Sequence, residues 1–286
     1  MDFSIQQLEP SEFPSLLKEI NDPPKQLYVR GALPSPDMKC VTVVGARNYS
    51  NYGKQVVETL IGGLRGKNIA IISGLALGID GLAHRAALDA GLFTLAVPGS
   101  GLDDSVLYPR RHRQLAEEIL GSGGGLLSEF EPDFVATKWS FPQRNRIMAG
   151  LAHAVLVIEA SLQSGTLITS RLATDYNRDV LTVPGSIFSE NAKGPHMLLR
   201  LGAVPITSSS DILETLGIET DDPPERESAA NLTEMEQAVL RLLREPQERD
   251  FVIRTLNISV ADANVLLMKM EMNNLIKRDH NFLQKI

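Results

Sequence analysis

From residue 40 onward the chain alternates between two kinds of hydrophobic pattern. Short, near-continuous apolar runs occur at Val41–Val44, Ile69–Ile72, Thr94–Val97, Ala154–Ile158, Val180–Val183 and Val204–Ile206, with Leu126–Leu127 a weaker one. Uninterrupted apolar character is what a strand needs when helices cover both faces of its sheet. Between these runs, apolar residues recur at helical spacing. Val56, Val57, Leu60, Ile61 and Leu64 form one stripe, and Ile79–Ala90, Arg113–Leu120 and Thr166–Tyr176 read as further helices. Regular alternation of strand and helix predicts an α/β fold built on a doubly wound, mostly parallel sheet.

The pattern also divides the chain. Residues 1–38 read as a short N-terminal arm and residues 39–219 as the α/β core. Residues 220–230 (TDDPPERESAA within it) have the proline and charge content of a linker. Residues 231–286 read as a small second domain. Thr233-x-x-Glu236 is a capping box ahead of Val239, Leu240, Leu242 and Leu243, and a short helix covers about Asp250–Leu256. Ser259-x-x-Asp262 opens a third helix, and Leu275–Ile286 alternates around Asp279-His280-Asn281 like a hairpin. Three helices and a hairpin predict a winged-helix domain. Its third helix offers Lys269 but no arginine, so sequence reading of duplex DNA is disfavoured and a protein-contact or regulatory role is expected.

Composition narrows the setting. Of 286 residues 43% are hydrophobic and 22% charged, ordinary for a globular chain. No apolar run approaches the ~18 residues of a membrane-crossing helix. The first twenty residues carry Asp2, Glu9, Glu12 and Glu19 without an apolar stretch, unlike a secretory signal. The single cysteine, Cys40, permits no intrachain disulfide and fits a reducing compartment. A cytoplasmic protein with no membrane partner is expected. The net charge of −7 changes meaning once located: residues 1–38 carry −3 and residues 218–230 carry −4, while 39–217 and 231–286 are neutral. Two stretches lack acids altogether: Phe134–Ile158, with Lys138, Arg144 and Arg146, and Ser105–Ala116, with Arg110, Arg111 and Arg113. A local basic cluster of this kind can hold a polyanion despite overall acidity.

The strand ends share small residues: Gly45-Ala46-Arg47, Ser73-Gly74-Leu75, Pro98-Gly99-Ser100-Gly101 and Pro184-Gly185-Ser186. In a doubly wound sheet the ligand crevice lies there, and small residues let charged oxygens approach backbone N–H groups. Any one such turn is an ordinary tight connection. Together they predict an anion-binding rim that includes Gly45, Gly74 and Gly99. Arg47 points at this crevice as either a solvated charge or an anion ligand. Lys138-Trp139-Ser140-Phe141-Pro142-Gln143-Arg144-Asn145-Arg146 mixes cations and aromatics as single-strand binders do, cations for phosphates and a ring for an unpaired base. Phe141 is expected to contact ligand and Trp139 to be structural. Ser164-Gly165-Thr166 opens a helix whose free N–H groups and hydroxyls suit a phosphate, or simply cap the helix.

Enzyme signatures are missing. Gly99-Ser100-Gly101-Leu102-Asp103-Asp104 has aspartate where a dinucleotide fingerprint needs its third glycine, and no G-x-x-x-x-G-K-[ST] loop occurs. Cys40 and five scattered histidines make no zinc spacing; His84, His153 and His196 are expected to serve local hydrogen bonds. The expectation is a non-enzymatic binding protein with no catalytic residues, cofactor or metal.

The segments LYVRG, VVGARNYSNYG, SGLALGIDGLAH, SEFEP, FPQRNRIMAGLAHAVLVIEA, QSGTLITSRLA and VPGS, spread from about Leu27 to Leu213, resemble the DprA (Smf) family of DNA-processing proteins. The resemblance implies an extended Rossmann-like core that binds single-stranded DNA, forms a homodimer and helps load a RecA-type recombinase in natural transformation. Carried over by position, it points to Arg47, Lys138, Phe141, Arg144, Asn145, Arg146, Ser164, Gly165 and Thr166. The chain departs from the family pattern in places. Thirty-eight residues leave little room for the helical SAM-like domain that members often carry before the core, and Gly194-Pro195-His196 replaces a usual Gly-x-Asn. The C-terminal domain varies among members. Two other functions compete. The core also resembles nucleotide phosphoribohydrolases, but the acid these carry soon after Gly-Thr is absent from Gly165-Thr166-Leu167-Ile168-Thr169-Ser170. Glu159, ending a buried strand, is expected to anchor loop backbone instead. The third possibility is a scaffold whose ligand is a protein.

Overall fold

The computed structural model describes residues 3–219, 233–243, 245–272, 275–279 and 281–285. They fall into two compact units divided after Glu219; the predicted linker at 220–230 lies outside the described residues.

In the first unit the apolar runs become strands: β1 (Ile5–Gln7), β2 (Tyr28–Gly31), β3 (Lys39–Val44), β4 (Ile69–Ser73), β5 (Phe93–Ala96), β6 (Gly125–Ser128), β7 (Ala154–Val157), β8 (Asp179–Thr182) and β9 (Val204–Pro205). They form one sheet in the order β1-β2-β6-β5-β4-β3-β7-β8-β9. Every pairing among β3 to β9 is parallel, whereas β1–β2 and β2–β6 are antiparallel. The helices are α1 (Ser15–Lys18), α2 (Asn51–Gly62), α3 (Ile79–Asp89), α4 (Arg113–Gly121), α5 (Ser140–Leu151), α6 (Thr166–Asp175), α7 (Lys193–Arg200) and α8 (Ser209–Thr215). Each continuous apolar run serves two cores, because successive strand residues face opposite ways. Val41, Val43, Ile69, Ile71 and Leu156 pack on one face with Val57 and Ile61 of α2 and Ala83 of α3. Cys40, Val44, Ile72, Val155 and Val157 pack on the other with Ile147 and Met148 of α5 and Ala173 of α6.

Residues 3–38, predicted as part of a short arm, pack into the α/β unit. β1 and β2 extend the sheet antiparallel beyond β6, and Phe13, Leu17, Ile20, Leu27 and Val29 join the core against α5. Their apolar positions are too sparse to show a period, yet Leu17 and Leu27 are fully buried. The α/β unit therefore starts well before residue 39.

From β3 the chain steps outward through β4, β5 and β6, then crosses back to place β7 on the other side of β3. The reversal leaves a crevice at the carboxyl ends of β3 and β7, where helices on opposite faces diverge.

The second unit comprises α9 (Glu234–Leu242), β10 (Gln247–Glu248), α10 (Arg249–Thr255), α11 (Val260–Met272), β11 (Ile276–Asp279) and β12 (Phe282–Lys285), with its strands in the antiparallel order β10-β12-β11. The capping box is present: Thr233 N–H donates to Glu236 Oε2 at 2.8 Å and Glu236 N–H to Thr233 Oγ1 at 3.3 Å. Val239, Val252, Leu267, Met270, Ile276 and Leu283 close a small core.

Candidate nucleic-acid interface

The crevice at the strand reversal is an open cleft of about 420 Å³, walled by Gly45–Asn48 after β3, Ser161–Thr169 after β7, and the first turns of α5. Arg47 is exposed, and its guanidinium carbon stands 5.5 Å from the centroid of Phe141. Among the described residues no acid pairs with it. Gly78, at φ +94°, brings the start of α3 against this turn; a Cβ there would stand 2.5 Å from Arg47 Cα. Below Arg47, Thr166 Oγ1 donates to Gly45 O at 3.1 Å, tying α6 to β3. Thr166 N–H is capped by Ser164 Oγ at 3.2 Å, while Gly165 N–H has no partner among the described residues. The mouth of α6 thus keeps a free donor facing the cleft.

Phe141 carries the wall onward. Tyr108 packs on it with centroids 5.7 Å apart at 54°, and Arg47, Leu77, Tyr108, Pro109 and Phe141 line a smaller adjoining recess. Exposed Arg110 and Arg111 follow Pro109 directly. Tyr108 is absent from the set read from sequence, although the acid-free stretch Ser105–Ala116 was the signal for it. Trp139 packs edge-on against Phe130 and Phe134 while staying 55% exposed, and Lys138 is exposed beside it, outside the walls of the cleft.

Arg144, Asn145 and Arg146 diverge because Ser140 already begins α5, so consecutive side chains are ~100° apart around its axis. Arg144 is no free cation. It lies 5% exposed in the floor, donating to Gly74 O at 2.6 Å and to Val97 O, with its Nε on Asn145 Oδ1 at 3.2 Å. Burial pulls its pKa down to about 10. Asn145 turns toward the cleft. Arg146 turns away from it: the guanidinium binds the Glu129 carboxylate and donates to Asp22 O at 2.7 Å. The prediction that Arg144 and Arg146 meet phosphate is therefore corrected by the structure.

Gly74 and Gly99 are corrected as well. Gly74 N–H already donates to Asp80 Oδ2 at 3.1 Å, and a Cβ on Gly74 would stand 2.4 Å from Arg144. A Cβ on Gly99 would meet the Phe141 ring at 2.6 Å. These glycines admit the protein's own guanidinium and ring rather than a ligand's oxygens. Gly45 alone of the three borders the cleft.

Glu159 braces the Arg47 turn from behind. It accepts from Ser50 N–H at 2.9 Å, from the Ser50 hydroxyl and from Asn191 Nδ2 at 3.4 Å; Asn191 also donates to Asn48 O at 3.0 Å. The histidines serve local bonds: His84 Nδ1 lies 2.7 Å from Thr94 Oγ1, His153 Nδ1 accepts from Cys40 N–H at 3.0 Å, and His196 Nε2 lies 3.0 Å from Gly185 O.

Asp80 shares the floor with Arg144, and burial raises its carboxyl to about 6, with Arg144, backbone donors and Arg47 opposing the rise. An ionised Asp80 repels any anion in the cleft. Affinity for an oligonucleotide at constant ionic strength is expected to rise as the pH falls through about 6, and Asp80→Asn to flatten that rise relative to the parent in fluorescence anisotropy. Stability has the same sign. The folded value exceeds the unfolded one, so this contribution is complete below the unfolded value and lost as pH rises through about 6.

Residues 4–217 match the DNA recombination-mediator protein A family. The chain belongs to that family. It is 42% identical over 207 residues to Protein Smf of Escherichia coli, covering 72% of this chain and 55% of that one. It is also 42% identical to DNA processing protein DprA of Bacillus subtilis, covering 72% of this chain and 68% of the other. This chain thus matches only about half the length of the E. coli relative. The crystal structure of DprA from Streptococcus pneumoniae superposes with a TM-score of 0.69 at 39% identity, covering 76% of this chain and 75% of that one. A Helicobacter pylori DNA processing protein A structure, which concerns that protein's single-stranded DNA binding mode, gives 0.67 at 32% identity and covers 75% and 96%.

In this member of the DNA recombination-mediator protein A family, the sequence-predicted residues that border the cleft are Gly45, Arg47, Phe141, Arg144, Asn145 and Ser164–Thr166. Asp80 and Asn191 were missed. Asp80 lies in the first turn of α3, where an acid is unremarkable in sequence, and Asn191 enters from the segment after β8, more than thirty residues from anything it braces in the first turn.

Proposed function

We propose that this protein binds single-stranded DNA without regard to sequence, as a cytoplasmic, non-enzymatic DNA-processing factor that delivers the strand to a RecA-type recombinase during natural transformation. The observation that carries the reading is Arg47, unpaired by any acid among the described residues and resting on Phe141 at the lip of the cleft. Arg47 and Lys138, with Arg110 and Arg111 nearby, neutralise phosphates. Phe141 stacks on a base, and Asn145 and Gly165 supply donors beneath. The H. pylori relative's single-strand binding supports the ligand class, and the recombination-mediator family supports the recombinase. Glu159, engaged by Ser50 and Asn191, is a brace rather than a catalyst.

Contacts to backbone and ring faces carry little sequence information. Binding is expected to weaken with salt at a slope of about −0.7 per phosphate neutralised. Phe141→Ala is expected to lower affinity for a single-stranded oligonucleotide by about 1–3 kcal/mol, with Phe141→Trp keeping most of it. Gel shifts against single-stranded and duplex oligonucleotides test this, and an unchanged single-strand affinity for Phe141→Ala would overturn it.

The protein acts as a homodimer in this proposal. Exposed Ile187, Phe188 and Leu201, 76%, 92% and 76% accessible, supply apolar surface for the contact. Two-fold symmetry then sets two clefts with opposed strand paths, suited to annealing. An obligate monomer that anneals strands as fast as the parent would refute that arrangement. Residues 231–286 form a winged-helix domain in this reading, serving protein contact rather than duplex reading.

A further inference from the structure

Trp139 is held on one side and open on the other. Phe130 and Phe134 stack on each other with centroids 4.5 Å apart, and the indole meets both at steep angles, 78° and 63°. Phe130 is buried, which anchors the three rings in the α/β unit. The indole nevertheless stays 55% exposed. A purely structural tryptophan would complete its burial, because the large apolar ring gains most from leaving water.

The indole is also fixed relative to the cleft. Ser140, fully buried, donates its hydroxyl to Gly99 O at 2.6 Å and accepts from Thr137 N–H at 3.0 Å, which pins the start of α5. Trp139 and Phe141 flank this anchor. Residues two apart in a helical turn stand about 5–6 Å apart at Cα and point roughly 200° apart around the axis. One ring therefore leaves toward Tyr108 and Arg47, the other toward Phe130 and Phe134. Lys138, exposed, precedes the indole directly.

We propose that the open part of the Trp139 indole is a second stacking platform for single-stranded DNA, taking a base that has left the cleft past Phe141. The inference rests on the single-strand reading, in which one strand contacts Phe141 in the cleft and Lys138 outside its walls. A path between those two residues runs over the amino end of α5, where the indole lies. Two other rings hold it before a strand arrives, so stacking requires little further ordering. Every base has a π-face, and the platform accepts bases without regard to identity. Glu131 and Asp133 of the same segment offset the charge of Lys138. The gain here is thus stacking rather than counterion release.

Trp139 is the one tryptophan of the chain, so its emission reports on the platform in the unaltered full-length protein. The probe is oligothymidylate of about sixteen nucleotides, the upper end of a single-strand site, with binding followed in a parallel anisotropy titration. At saturation the emission is expected to fall by about half and acrylamide quenching by about threefold, because a stacked base both quenches the ring and covers it. Trp139→Ala is expected to weaken binding about fivefold to hundredfold at the parental salt slope, and Trp139→Phe to restore most of the affinity. Binding with emission and acrylamide access unchanged overturns the platform and leaves the single-strand reading standing; no binding at all overturns both. Protection of the indole by a RecA-type recombinase without DNA, with Trp139→Ala binding the strand as the parent does, overturns it in favour of a protein surface.

Discussion

Arg47→Glu is expected to lower single-strand affinity by at least about hundredfold near 0.1 M salt, because it removes one charge-assisted phosphate contact and puts a repelling charge in its place. The position makes the effect large. Arg47 has no acid partner among the described residues to absorb the change, and its guanidinium lies over Phe141, so reversal also removes the cation that rests on the stacking ring. The salt slope should fall by about 0.7. Arg47→Lys is expected to retain the charge yet lose severalfold in affinity, since an ammonium lacks the planar fork that both stacks and bonds in two places. Arg226→Glu, in the acidic segment beyond the first unit, supplies the same charge change elsewhere. Equal losses in the two glutamate variants by anisotropy would mean that overall charge, not this lip, governs binding. Thermal stability of Arg47→Glu should match the parent, because the side chain is exposed and makes no intrachain hydrogen bond among those described.

Arg144→Met has the opposite signature. It is expected to destabilise the core by about 3–5 kcal/mol in urea denaturation at pH 7, the loss typical when one partner of a buried charge pair is removed. Two carbonyls, Gly74 O and Val97 O, lose their donor, and Asp80 is left 6% exposed with its main compensating cation gone. Adding Asp80→Asn to Arg144→Met should recover part of the loss, and a double-mutant cycle gives the coupling. Arg144→Lys is not expected to rescue, because one ammonium cannot span two carbonyls and Asn145 at the fork's spacing. If Arg144→Met kept full stability and lost only DNA affinity, Arg144 would be a phosphate ligand after all.

These two arginines show how far sequence reasoning reaches. Both stand in basic, glycine-rich or aromatic surroundings, and nothing in residue type separates them. The helix start at Ser140 separates them, since it decides which of residues 141–148 share a face. The same start sends Arg146 to Glu129 and Asp22, a pairing between residues far apart in the chain. Gly74 and Gly99 follow the same logic: small residues at strand ends announce a close approach without saying what approaches. Here the visitors are a guanidinium and a phenyl ring of the protein itself.

What the chain determines by its order of residues alone is the layered α/β plan. A run of four or five mostly apolar, β-branched residues between glycine-rich turns is too short for a core helix and suits a strand covered on both faces, so Val41–Val44 and Ala154–Ile158 are recognised without knowing their partners. The helix caps at Thr233 and the stripe along α2 are equally local. Tertiary structure alone decided the inclusion of residues 3–38 in the α/β unit, with β1 and β2 in its sheet, the meeting of Tyr108 with Phe141, and the Glu159–Asn191 brace behind Arg47. Each of these depends on distances between segments tens of residues apart, which no period of 2 or 3.6 encodes. Their energy comes from burial and hydrogen bonding that exist only once the sheet has brought those segments side by side.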